Sequence, residues 1–328
     1  MRINHKIYFW FLVFALLLTP PDPPFRWVPA EHLCYALGPG TTGVPFLKIA
    51  PGARAVGMGE AFVATADDAT AIYWNPAGLI QIEGNQITYM HNFWFQSINY
   101  DYIGYVQGFK NAEEKFGISI TLLNAGEIQR TLEDASGIYS GTGSNFTAYD
   151  LALAFSYAWK MGENISIGTN LKFIRSNIDD VTGYAVAADF GSLYIPMSKL
   201  TIGINAQNAI LPIPIRYYRG NSPVSAAHTL PMNIKVGAAY KFNDNLTLGL
   251  DVNAPIDNNL NFHIGAEYWY GNFALRLGYK TDFIYDIDIL SGLSAGMGFK
   301  WQNYQTDYAF VPYGDLGFTH RVSLLVKF

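Results

Sequence analysis

From about residue 85 to the C-terminus the chain alternates apolar and polar residues, segment after segment. Leu246, Leu248, Leu250 and Val252 interleave with Thr247, Gly249, Asp251 and Asn253. Phe273, Leu275, Leu277 and Tyr279 interleave with Ala274, Arg276 and Gly278, and Val322, Leu324, Val326 and Phe328 with Ser323 and Lys327. A period of two demands strands with one oily face and one wet face. A soluble sandwich hides its oily faces against each other. A membrane barrel turns them outward to lipid and keeps the wet faces in its lumen.

Composition and the N-terminus favour the barrel. Charged residues make up 14% of the chain, well below the roughly 25% of soluble domains. Aromatics reach 16%, with Tyr as common as Phe, and Tyr and Trp settle at membrane interfaces. Past the N-terminus no apolar run approaches the roughly 20 residues of a membrane helix. The net charge of −5 offers no basic surplus for nucleic acid. At the N-terminus, Arg2, His5 and Lys6 precede an apolar run over 7–18 that Pro20, Pro21, Pro23 and Pro24 end. This reads as a signal peptide with a Pro-rich leader over residues 1–36, addressed to the bacterial outer membrane. Cys34-Tyr35-Ala36 and Val28-Pro29-Ala30 compete as cleavage sites, and Glu31-His32-Leu33 is a poor lipobox before the single cysteine.

The strand pattern divides into about fourteen segments, an even number as bacterial barrels prefer. Tight connections at 161–163, 196–198, 243–245, 270–272 and 301–303 use Gly, Asn, Asp and Pro as sharp turns require. Longer segments around 125–145, 175–183, 209–229, 253–259 and 280–290 alternate with them. Short turns on one side and long loops on the other is the outer-membrane pattern, with both termini periplasmic. The expected fold is all-β, a transmembrane antiparallel barrel over 85–328.

Residues 37–84 lack the alternation and are rich in Ala and Gly, suiting a hatch or plug for a lumen too wide for side chains alone. Asp67 or Asp68 can cap a short helix that Asn75-Pro76 ends. Here the residues carry a family resemblance. Ala53, Arg54, Gly57, Met58, Gly59 and Ala61, followed by Asp67-Asp68-Ala69 and Trp74-Asn75-Pro76-Ala77-Gly78-Leu79, resemble the N-terminal signature of the PorV/PorQ family, which belongs with FadL-type barrels. Asp307-Tyr308-Ala309-Phe310, Gly314-Asp315-Leu316-Gly317 and the stretch from Thr319 to Leu324 resemble that family's closing strands. The terminal Phe328 resembles the aromatic signal read by barrel-assembly machinery. The resemblance implies a barrel of protein secretion or surface attachment, of the type IX kind, with secreted cargo or a secretion-system protein as partner. FadL relatives imply instead a conduit for a hydrophobic ligand.

Chemistry-bearing motifs are few. Gly292-Leu293-Ser294-Ala295-Gly296 fits G-x-S-x-G, but it sits in an alternating strand and not on a strand-to-helix turn. No enzyme, cofactor or metal is expected. Asp282, Asp286 and Asp288 read as a solvated acidic loop before a cation site, and His263 as a hydrogen-bonding group before a metal ligand. The wet faces place Asp251, His263, Glu267, Arg276, Asp307 and Arg321 in the lumen, read as a paired network that braces the plug rather than as a selectivity lining. Arg54 is the natural plug anchor, with Asp68, Glu267 or Asp307 as its carboxylate. Asn208 to Pro231 reads as an oily loop. Its Leu211, Ile213, Ile215, Tyr217 and Tyr218 either pack over the barrel mouth or meet a ligand or partner.

Overall fold

The computed structural model describes residues 33–34, 38–108, 113–282 and 289–328. The signal-peptide reading falls almost wholly outside the described residues, as do Asp286 and Asp288. The strands are β1 (Gln86–Phe93), β2 (Asn99–Gly108), β3 (Glu114–Glu133), β4 (Tyr139–Lys160), β5 (Ile165–Ile178), β6 (Val181–Met197), β7 (Leu200–Arg219), β8 (Asn233–Lys241), β9 (Leu246–Pro255), β10 (Asn261–Tyr270), β11 (Phe273–Lys280), β12 (Leu293–Trp301), β13 (Tyr304–Pro312) and β14 (Phe318–Lys327). Each pairs antiparallel with the next. β14 returns to β1, with Val322 opposite His91 and Leu324 opposite Tyr89. The result is a closed 14-strand antiparallel barrel. Closure leaves no unpaired edge, which a sheet surrounded by hydrocarbon requires.

The alternation sorts the residues as the sequence anticipates. On β9 and β11, Leu250, Leu275 and Leu277 face outward at 47%, 66% and 68% exposure, whereas Asp251 and Arg276 face inward at 1% and 2%. An exposed wall this apolar has lipid as its natural solvent. At the end carrying the tight turns, outward aromatics form a belt. Phe116 meets Tyr157 at 4.8 Å, Tyr157 meets Trp159 at 5.5 Å and Phe273 meets Phe299 at 4.9 Å. Phe328 stacks on Tyr105 and exchanges backbone hydrogen bonds with Asn85 at the same end.

Three expected loops are mostly strand. β3 and β4 continue as a ladder to Glu133 and Tyr139, and β5 and β6 meet in a two-residue turn where Asp179 takes φ 56°. Ladder pairing keeps the backbone satisfied beyond the bilayer, and the Thr, Ile, Tyr and Val in these stretches favour strand. The Asn208–Pro231 reading is corrected in the same way, because β7 runs through to Arg219. It does so irregularly: from Phe190 to Tyr184 on β6 the chain takes six steps, against ten from Ala206 to Arg216 on β7. Asn208, at φ 52°, sits at the bulge. β8 pairs with β7 only up to Asn233 opposite Gln207.

Inside the barrel lies the N-terminal segment. It holds a 3-10 turn over Pro45–Lys48, two short helices, α1 (Ala53–Gly57) and α2 (Ala71–Trp74), and a 3-10 turn over Pro76–Gln81. Ala53, Met58, Phe62, Trp74 and Leu79 are fully buried. The segment touches wall strands all round the circuit, from Gly104 on β2 to Ser323 on β14. Small residues allow this approach. A Cβ on Gly57 would lie 3.0 Å from the Cα of Gly296, and one on Gly59, at φ 64°, would lie 2.6 Å from Tyr279 N.

Leu250→Arg is expected to destabilise the barrel by about 2–4 kcal/mol, because a lipid-facing cation near the midplane is costly, and Thr247→Arg, on the lumen face, by clearly less. Reversible unfolding in lipid bilayers measures both. Equal losses would mean the faces are reversed.

Candidate functional site

Arg54 organises the lumen. It leaves the first turn of α1 and forks onto Glu267 of β10, Nε to Oε2 and Nη2 to Oε1, both at 2.8 Å. Its Nη1 reaches Asp67 at 2.5 Å and Asp68 at 3.2 Å. Glu267 also accepts from Arg276 Nε at 2.6 Å, and Arg276 Nη1 lies 2.9 Å from Asp307. Arginine and carboxylate therefore alternate from the segment into the wall. Burial alone would lower the Arg54 pKa, but Asp67, Glu267 and Asp68 outweigh it and raise it. Of the anticipated partners, Glu267 and Asp68 are found. Asp307 pairs instead with Arg276, and Asp67, read only as a cap, is a direct partner. The lone pairs that Asp68 keeps accept from Thr70 N at 2.9 Å.

The remaining lumen residues fall into separate groups. Asp251 Oδ2 accepts from the backbone of Phe62 and Val63 at 2.8 and 2.9 Å. His263 Nε2 lies 3.2 Å from Asp282, and Lys280 bridges Glu60 at 2.7 Å and Asp282 at 3.6 Å. Burial would raise the Glu60 pKa, but the nearby charges of Lys280 and His263 leave it lowered. Asp282 follows the same logic: burial raises it, yet the hydrogen bond from His263 and the charge of Lys280 pull it well down. Among the described residues Arg321 forms no ion pair with a carboxylate. It donates to Ala50 O at 3.2 Å and lies 3.4 Å from the Tyr313 hydroxyl, with Trp94 beneath its guanidinium. The single network expected from the wet faces is thus several smaller ones.

The second motif acts through its backbone. Asn75 caps the turn that begins at Pro76, its Oδ1 accepting from Ala77 N at 3.2 Å, while its Nδ2 donates to Val63 O and to Ser192 O of β6. Ser166 on β5 donates to Ala77 O. Gly78 lies against Ala66, where a side chain would collide. Met58 and Gly59 continue from α1, and Gly59 N donates to Ser294 Oγ at 3.0 Å. The serine of the G-x-S-x-G match is therefore buried in β12 as a hydrogen-bond acceptor for the segment. His91 is elsewhere, on the outer face of β1 with Asp101 at 2.8 Å.

Sequence reasoning missed one class of residue: wall carboxamides that satisfy the segment's free carbonyls. Asn170 donates to Ile72 O at 2.6 Å, Asn205 to Trp74 O at 2.7 Å and Gln207 to Tyr73 O at 2.7 Å. Beside them Asp189 is held by Lys172 at 2.7 Å and Asn170 at 2.8 Å. Their signal was Asn, Gln and Asp on the inward register of β5, β6 and β7, and it becomes specific only once the short helices end against those strands.

At the mouth, Ile215 is fully buried and Tyr217 and Tyr218 are half-buried. Ile215 is therefore removed from the set of surface contacts. It lies against Gly183 and Gly43, packing over the lumen. Tyr217 Oη lies 3.1 Å from Ser176 Oγ. Ile213 pairs with Val186, and the side chain of Leu211 is outside the described residues. Among the described residues no group of three His, Cys, Asp or Glu could hold a metal ion. Between segment and wall lie small cavities, one of about 120 Å³ and one of about 30 Å³.

A closed antiparallel barrel with an apolar outer wall, an aromatic belt and a polar lumen is an outer-membrane β-barrel. Residues 39–198 match the family model described as type IX secretion system protein PorV. Its fold is similar to those of solved FadL-type barrels. The CymD monoaromatic hydrocarbon channel aligns with TM-score 0.58 at 15% identity, over 84% of this chain and 96% of that one. The Pseudomonas putida toluene transporter TodX gives 0.55 at 11%, over 90% and 98%, and a Pseudomonas aeruginosa FadL homologue 0.54 at 14%, over 83% and 97%. At these identities the likeness is one of fold. No curated protein matches the sequence.

Arg54→Ala is expected to cost about 3 kcal/mol, since it strands buried carboxylate charge. Arg54→Lys should recover little of it, because an ammonium cannot fork onto Glu267. Urea midpoints in bilayers compare the three proteins. The lowered Glu60 and Asp282 values carry a sign: their contribution is complete above the ordinary carboxylate range near ~4. It is lost as pH falls through the lowered folded values. Stability should therefore decline on acidification, and Glu60→Gln should flatten that decline in the same unfolding measurement.

Proposed function

We propose that this protein is a non-enzymatic, partner-binding barrel of protein secretion or surface attachment, of the type IX kind. The observation that carries the reading is the packed lumen beneath a one-sided projection. Residues 44–82 fill the barrel down to small cavities, which suits a hatch (37–84) held shut better than an open conduit. Meanwhile β3 to β7 run to between 14 and 22 residues, against 8 to 10 for the other strands. They rise past the rest on the side opposite the C-terminus. Between their tips is a surface recess of about 430 Å³, lined by Arg130, Phe146, Asp179 and Arg219. A cleaved signal peptide and periplasmic termini would place this projection outside the cell, with Phe328 read by the assembly machinery. There Tyr217, Tyr218 and the strand tips would meet secreted cargo or a secretion-system protein.

A second reading is a FadL-like conduit for hydrophobic small molecules. It is favoured by the fold shared with CymD and TodX, whose descriptions name a hydrocarbon channel and a toluene transporter. In that case the segment would be a gate and Arg54 its latch.

Two measurements separate the readings. Tagged protein recovered from its native outer membrane should carry secreted proteins, and removal of the β3–β4 tip over 125–143 should abolish their recovery while the barrel still assembles. Recovery of lipid or hydrocarbon without protein, unaffected by that removal, would overturn the first reading in favour of the second. Deleting residues 46–79 should raise ion conductance in planar bilayers, and Arg54→Ala should raise it less. Unchanged conductance in the deletion would end the hatch reading.

A further inference from the structure

The cavity of about 120 Å³ is not built like a site for oil. It lies where β8, β9 and β10 meet the connections at the end away from the C-terminus, and its wall carries both carboxamides and charged groups. Lys235, Asn253 and Asn261 stand directly opposite one another across three neighbouring strands, and Asn233 stands opposite Gln207 one row further out. Asn253, Asp257, Asn261 and His263 are 2%, 1%, 7% and 3% exposed. Each keeps one buried polar atom without a partner among the described residues: Oδ1 of Asn253, Asp257 and Asn261, and Nδ1 of His263. Asn233 Oδ1 is left in the same condition. Buried polar atoms are ordinarily satisfied, so a cluster of acceptors around one cavity calls for a donor-rich occupant.

The charges of the cavity are already engaged. Asp257 Oδ2 accepts from Lys48 and from Thr42. Lys280 holds Glu60, His263 holds Asp282, and the Lys235 ammonium lies 4.9 Å from the Trp74 ring centre. An ionic ligand would have to displace these partners. A bare cation would in addition face Lys48 and Lys235. What is unmet is the demand for neutral hydrogen-bond donors. Hydroxyl groups meet it, because each donates to a carboxamide oxygen and accepts from a carboxamide N–H. The space suffices for several waters or for one hydroxylated ring.

We propose that this cavity is a binding site for a neutral polyhydroxylated solute of monosaccharide size. The site does not depend on the secretion reading, since it lies in the lumen wall and not at the projecting strand tips. It also differs in chemistry from a hydrocarbon channel, whose ligand offers no hydrogen bonds to an asparagine row.

The test uses the full chain in detergent micelles, titrated calorimetrically with D-glucose, D-galactose and N-acetylglucosamine. Sodium acetate, calcium chloride and toluene serve as ionic and apolar controls. Saturable heat is expected with at least one sugar and with none of the controls. Asn253→Leu and Asn261→Leu should each weaken it about tenfold, the worth of one or two hydrogen bonds to a ligand. Heat-modifiable migration on gels checks that each variant is folded. Should one leucine variant fail to fold, Asn261→Ser provides the comparison, with a smaller loss. Saturation with no sugar at any attainable concentration would show a water-filled cavity and overturn the proposal. So would sugar binding that the folded variants leave unchanged, or saturation by calcium or toluene.

Discussion

Everything inside this protein follows from the width of its lumen. Fourteen strands close the sheet and remove its edges, but they enclose more space than inward side chains can fill. The chain fills it with its own N-terminal segment, and that choice brings a second demand. The segment is mostly short turns and one-turn helices, which leave many backbone groups without partners inside themselves. Buried without water, each of those groups needs a donor or acceptor from the wall. The wall supplies them: Asn170, Asn205 and Gln207 meet carbonyls, whereas Asp251, Ser294 and Ser323 meet amides. The polar residues inside are therefore not a lining for water. They stand in for the secondary structure that the segment lacks.

Close approach and charge pairing complete the arrangement. Wall glycines such as Gly265, Gly278 and Gly296 leave room for the backbone from Gly57 to Gly59. This allows hydrogen-bond distances that a Cβ on either side would prevent. Charge then fixes position. A fork of Arg54 onto Glu267 tolerates little rotation or slip, because both N–H···O bonds must be kept at once. Glu267 is itself shared with Arg276, and Arg276 with Asp307, so the anchor is continuous with three strands of the wall, β10, β11 and β13. The pairs are costly to bury and contribute less to net stability than to a single placement of the segment.

Much of the fold was legible because a period of two is the most direct signal a strand gives. The strand count, the faces of Leu248, Asp251, Leu275 and Arg276, and the tight turns at one end came from that pattern alone. The long connections were misjudged for a physical reason. Outside the bilayer neither face need be apolar, so the alternation of β3 beyond Asn124 and of β7 beyond Gln207 fades although the ladder continues. The site was legible in kind and only partly in pairing. A buried arginine among carboxylates is predictable, and Glu267 was among its candidates. That Asp67 would fold back thirteen residues onto Arg54, or that Asp307 would take Arg276 instead, depends on where α1 meets the wall. No local pattern encodes that. Ile215 shows the same limit: an oily residue near a barrel mouth can face water, a partner or the lumen, and here its neighbours Gly43 and Gly183 come from distant parts of the chain.

The likeness to hydrocarbon channels and the polar interior bear differently on function. A barrel that passes oily molecules needs a continuous apolar path, and such a path has no use for buried carboxamides with free acceptors. Here the apolar contacts inside, from Phe62 and Trp74 to Leu79, are consumed in packing the segment, and the cavity left over is ringed by Asn and charged pairs. Apolar side chains hold the segment down, and polar ones satisfy its backbone. This division leaves the projecting β3–β7 wall as the part free to vary its contacts without disturbing the core.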